Sequence, residues 1–141
     1  MKVVGSQPAT RERIALGLSI SEADRARALI DRDRFREAMA TTFSTVDVVL
    51  TPAMPVDVPP RDGGDDVVAL SRRMGQFTYP WSLHDGPTLA LPVGFHPPSG
   101  MPVGAQLTAV LRREGALSAL GEHYQSVTAW HRTVPPHTSD L

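Results

Sequence analysis

Between Tyr79 and Pro87 the chain reads YPWSLHDGP, which places a serine, a histidine and an aspartate (Ser82, His84 and Asp85) within four residues of one another. Those three groups carry out nucleophilic acyl transfer when the imidazole lies between the other two, one ring nitrogen bonded to each. Such convergence normally draws the side chains from separate parts of a fold. On a strand, Ser82 and His84 would share a face about 6.5 to 7 Å apart while Asp85 pointed to the other. A turn could join His84 to Asp85, but it would supply neither an oxyanion hole nor the strained nucleophile position of a Gly-x-Ser-x-Gly elbow. The spacing therefore predicts a polar loop in which Ser82 and Asp85 bond nearby backbone amides. The close-set aromatics Phe77, Tyr79 and Trp81 are the candidates for lining a substrate pocket, with plain packing as the competing reading.

Other chemistries find less support. His96, His123, His131 and His137 have no carboxylate at the short spacing of zinc-protease motifs, so no metal site is expected. Asp62, Asp65 and Asp66 lack the alternation and terminal glutamate of a calcium loop. Glu114 and Glu122 stand two helical turns apart, too far for a local acid and base pair. Neither a G-x-G-x-x-G run nor a P-loop occurs, and no cofactor is expected. The chain has no cysteine, which removes disulfides and thiolate metal sites and fits a cytoplasmic protein. With a formal net charge of -1 and dispersed basic residues, neither nucleic acid nor an anionic membrane is an expected partner. The start MKVVGSQPAT has no apolar stretch long enough for a signal peptide or a spanning helix. Lys2 is the only lysine, so a mechanism that needs a buried lysine base has no good candidate here.

The elements that must position these residues can be read from periodicity. One domain of 141 residues is expected, since a chain of this length can bury about 70% of its unfolded surface. Thr10 is placed to cap a short helix running toward Gly17, and Ser21 to cap a second one with Asp24 as its capping-box partner. On that second helix Ala28, Phe35, Met39 and Phe43 share a face expected to pack inward, and the Arg and Asp run from Arg25 to Glu37 covers the solvated sides. Val46 to Leu50 reads as a strand inside a sheet, followed by a surface loop rich in proline, glycine and aspartate. Val67 to Met74 reads as one or two helical turns. TLALPVGF and PVGAQLTA alternate with period two and are joined by a short Pro and Gly-containing loop, which predicts an antiparallel pair with Pro92 at a bulge or an edge. Leu117, Leu120, Tyr124 and Val127 give a final amphipathic helix ending near Trp130 to Arg132.

The ordered segments DVVLTPAMP, FTYPWSLHDGPTLALPVGF, GMPVGAQLTA and a glutamate-led helix ending in HYQSVTAWHRTVPP, preceded by the helical RERIALGLSISEADRARALIDRDRFREAMATTF, resemble the carboxy-terminal part of the amidase signature family, over about residues 10 to 136. The resemblance implies an α/β class (an α+β fragment), with an incomplete mixed β-sheet of about three strands covered by helices. It also implies hydrolysis of a carboxamide C–N bond through a serine, a second serine in a cis peptide and a lysine. That machinery lies amino-terminal to the part seen here. These 141 residues contain no Ser-Ser pair and no internal lysine, so no residue of this chain is assigned a catalytic role. The expectation is a portion inactive alone that self-associates or meets a partner chain supplying the amino-terminal catalytic part; the alternative is a noncatalytic binding or assembly module. At the opening stretch the family pattern runs Pro, aromatic, Asn, Leu, Thr, Gly. Asp85 stands where the family favours glycine, and a position needing positive φ tolerates aspartate only at some cost.

Overall fold

A computed structural model describes residues 8–59 and 67–134. The elements in chain order are helices α1 (Pro8–Leu18) and α2 (Glu22–Phe43), strand β1 (Val48–Pro52), helices α3 (Val67–Met74) and α4 (Tyr79–Leu83), strands β2 (Thr88–Phe95) and β3 (Pro102–Ala109), and helix α5 (Glu114–Val127), then a single 3-10 turn, Trp130–Arg132. The three strands form one sheet in the order β1-β3-β2, antiparallel throughout. The acidic cluster Asp62, Asp65 and Asp66, together with His137 and Lys2, lies outside the described residues.

Several expectations hold because local chemistry and tertiary contacts agree. Ser21 caps α2 by accepting from the Asp24 amide at 3.1 Å. The two alternating segments form β2 and β3 at the expected bounds, and their register shifts between Pro92 and Gly94. Gly94, at φ +149°, takes up the distortion where Pro92 has no amide to give.

Other expectations are corrected. Thr10 is not a cap, because α1 already begins at Pro8 and Thr10 lies within it; proline suits a first turn whose amides have no helical partner. The strand expected at Val46 to Leu50 is shifted to Val48–Pro52, and among the described residues it is an edge rather than an interior strand. The YPWSL segment, expected as loop, is the short helix α4 with Pro80 in its first turn. The last helix stops at Val127. On α2 no residue is buried: Phe35, Met39 and Phe43 are half-buried and Ala28 is exposed, so the apolar face is only partly covered.

The two faces of the sheet differ because side chains alternate along each strand. One face presents Val48 and Leu50 of β1, Leu89 and Leu91 of β2, and Ala105, Leu107 and Ala109 of β3. Helix α5 covers part of it, and Leu91, Leu107, Ala109 and Leu117 form the core with Val48, Leu89 and Tyr124 against it. Gly121 permits this approach, since a Cβ there would stand 2.7 Å from Leu89 Cδ2. The opposite face carries Thr51, Gln106, Thr88 and Thr108, and meets α4 and the segment just before it.

Candidate functional site

The polar face of the sheet is roofed by the Tyr79 to Pro87 segment. Trp81 Nε1 donates to Thr51 Oγ1 at 3.1 Å, and His84 Nε2 lies 3.2 Å from the Ala109 carbonyl. Facing a carbonyl, Nε2 must carry the proton, which fixes the tautomer. The imidazole stacks on Phe43 at 5.1 Å and meets Trp81 edge-on at 6.3 Å. Beneath this roof the buried Gln106 donates to the carbonyls of Pro52, at 3.0 Å, and Phe77, at 3.2 Å. The Thr108 hydroxyl bonds that of the exposed Thr88 at 2.9 Å, so the buried Gln106 and Thr108 are both satisfied.

Ser82, His84 and Asp85 do not converge. His84 is bonded to Ala109, and Ser82 is exposed with no hydrogen bond among the described residues. Asp85 accepts from Arg36 Nη2 at 2.5 Å, and Arg36 Nε donates to the Leu83 carbonyl at 2.8 Å. The expected bonds to nearby amides are therefore not made: Ser82 is left to solvent, and Asp85 is held instead by a clamp from α2. Asp85 also has no positive φ, since Arg112 is the one non-glycine with that conformation among the described residues. Charge pairing, rather than backbone tolerance, explains an acid at this position.

Phe77 and Tyr79 are exposed, and Trp81 is half-buried under its bond to Thr51. Tyr79 helps to wall two grooves on the helical side, one against α2 and one between α1 and α3, and neither is lined by Phe77 or Trp81.

A different serine, histidine and aspartate meet instead. His96 Nδ1 lies 3.0 Å from an Asp57 carboxylate oxygen and 3.2 Å from Ser99 Oγ. The Ser99 hydroxyl bonds the same carboxylate, and the Met101 amide donates to Ser99 Oγ at 3.3 Å. Asp57 and Ser99 both use Nδ1, so the imidazole does not bridge hydroxyl and carboxylate as a relay must. The group ties the segment after β1 to the β2–β3 turn. Hydrogen bonding from Ser99 first, then from the Val58 amide and from His96, holds the Asp57 carboxyl below its ordinary value of 3.8. A lowered folded pKa stabilises the fold above the ordinary carboxylate value, and the gain is lost as pH falls through the lower one. Asp57→Asn should accordingly melt below wild type at pH 6, and in thermal melts across pH the gap should narrow as the pH falls below the ordinary carboxylate value.

No group of three metal-ligating side chains occurs among the described residues. No helix there is long and apolar enough to cross a membrane. An apolar groove of about 720 Å³ lies on the core face of the sheet, walled by β1, β3 and β2 with Leu120 and Tyr124 of α5. It is open at the β1 side, where Leu50 is 67% exposed although its strand position faces the core. An apolar sheet face left open beside a free edge is the mark of a fold completed by something else.

Comparison with known proteins agrees with that geometry. The model of the Amidase family matches residues 5–117. The chain is 35% identical over 142 residues to the A subunit of the glutamyl-tRNA(Gln) amidotransferase from Roseiflexus sp., covering 93% of this chain and 28% of the relative. To its counterpart from Bordetella petrii it is 37% identical over 115 residues, covering 81% and 21%. A crystal structure of an amidase superposes with a TM-score of 0.71 at 30% identity, over 86% of this chain and 29% of that one. A chain from a vestigial protein complex described as revealing the evolutionary origins of an s-triazine catabolic enzyme gives 0.72 at 26% identity, over 84% and 27%. The chain thus spans under a third of the length of these relatives, and the open face and edge lie on a partial copy of their fold. Sequence match, superposition and the antiparallel sheet under its helices lead to one conclusion: the chain belongs to the amidase family.

Proposed function

We propose that this chain is the carboxy-terminal portion of an amidase-type hydrolase and contributes to carboxamide hydrolysis only when joined by an amino-terminal amidase part. The observation that carries the reading is the free β1 edge beside the open apolar groove, in a family segment with no Ser-Ser pair and a single lysine, Lys2. The joining part, in the same polypeptide or as a partner chain, supplies the nucleophilic serine, its serine neighbour and the lysine base. The serine attacks the amide carbonyl, the amine leaves, and water hydrolyses the acyl-enzyme. Phe77, Tyr79 or Trp81 shapes the acyl or leaving-group pocket in the joined form. The absence of cysteine supports a cytoplasmic setting, and no cofactor or metal takes part in this reading.

A second reading is a noncatalytic assembly module derived from an amidase. It is favoured by the Arg36 clamp on Asp85, which ties the turn after α4 to α2, and by the likeness to a chain of a vestigial complex. The two separate by ammonia release from a panel of primary carboxamides. The 141-residue chain alone should release none, with Ser82→Ala indistinguishable from wild type. Addition of an amino-terminal amidase part should produce activity under the first reading and a silent complex under the second.

A further inference from the structure

We propose that the groove between α1 and α3 is a binding site for a small organic carboxylate with an apolar body. The groove, about 550 Å³, has a size usual for small-molecule sites. Arg13 of α1 and Arg72 of α3 both line it, and no Asp or Glu does. Six other arginines, Arg25, Arg27, Arg32, Arg34, Arg36 and Arg113, are paired with carboxylates. Arg13 and Arg72 make no such pair among the described residues, so two arginines without a carboxylate partner line one hollow whose wall carries no Asp or Glu.

The other lining groups narrow the ligand. The half-buried Ser71 hydroxyl makes no hydrogen bond among the described residues and is a third free donor. Ser19 is already committed, donating to the Leu16 carbonyl at 2.8 Å, and the Tyr79 hydroxyl donates to the Ser71 carbonyl at 3.3 Å. The remaining wall is apolar, with Leu16 and Ile20 at the rim and Val68 buried behind them. Guanidinium forks match a planar carboxylate with two parallel bonds, and the apolar wall fits the body behind it. An inorganic anion would use the cations and leave that wall wet. The inference concerns binding alone and stands independently of the amidase reading.

Phenylacetate is a suitable probe, with phenylacetamide as its uncharged isostere and inorganic phosphate as the anion without an apolar body. Titration of the full chain, followed by NMR, should show saturable phenylacetate binding with a Kd on the order of 1 mM, as its small number of atoms allows. Phenylacetamide and phosphate should each bind at least tenfold more weakly. The double variant Arg13→Gln, Arg72→Gln should lose about tenfold in phenylacetate affinity; both side chains are exposed, so its circular dichroism should match wild type. Equal binding of acid and amide, phosphate binding as tight as phenylacetate, an unaffected double variant, or no saturation at ten times that concentration would each overturn the proposal.

Discussion

Replacement of Gly86 by alanine should destabilise the chain by about 3 kcal/mol, a large share of a domain's usual 5 to 15. A methyl built on Gly86 would overlap the Ala109 carbonyl oxygen and come within 2.6 Å of His84 Nε2. The carbonyl is backbone of the central strand and cannot swing away. It already accepts from His84, while the Ala109 amide donates to the Pro87 carbonyl at 3.1 Å, so moving the turn strains both bonds. Gly75→Ala is the matched control. Its methyl would meet the outer end of the Tyr79 side chain, which is 53% exposed and can shift at the cost of its long 3.3 Å bond to the Ser71 carbonyl, so about 1 kcal/mol is expected. Urea unfolding of both variants checks the difference; similar losses would mean that the turn is not seated on β3 in this way.

That close approach was not legible in the sequence. Gly86 there is one glycine before a proline, and nothing local says that a strand carbonyl will lie against it. The hairpin was legible, because Leu89, Leu91, Val103, Ala105 and Leu107 alternate and both flanks carry turn residues. Alternation also places Gln106 with Thr108, opposite Leu107, which was the available signal for a buried polar ladder. Arg36 gave no comparable signal, since its neighbours in the Arg and Asp run are solvated and its partner is 49 residues away. His96, Ser99 and Asp57 meet only once β1 and the β2–β3 turn are placed. Helix α4 was hidden because a five-residue helix has almost no periodicity to read, and β1 resembles an interior strand because consecutive Val48, Val49 and Leu50 put apolar side chains on both faces.

Leu50→Asp should leave the isolated chain nearly as stable as wild type yet block its union with an amino-terminal amidase part. At 67% exposed, Leu50 loses little on its own chain when it becomes aspartate. If the open groove is where the missing part packs, the same change buries a carboxylate in an apolar contact. Loss of one central anchor of this kind costs about 2 kcal/mol or more, at least thirtyfold in affinity. Sedimentation of the mixed chains and thermal melts of the isolated variant give the two readouts. Undiminished association of Leu50→Asp would remove the groove from the interface.

The most direct measurement is ammonia release from primary carboxamides by the purified 141-residue chain, alone and mixed with an amino-terminal amidase polypeptide that carries the two serines and the lysine and lacks its own matching last part. The account predicts no turnover by either piece, and turnover by the mixture that disappears when the supplied lysine is replaced by alanine. Turnover by the 141-residue chain alone would contradict it.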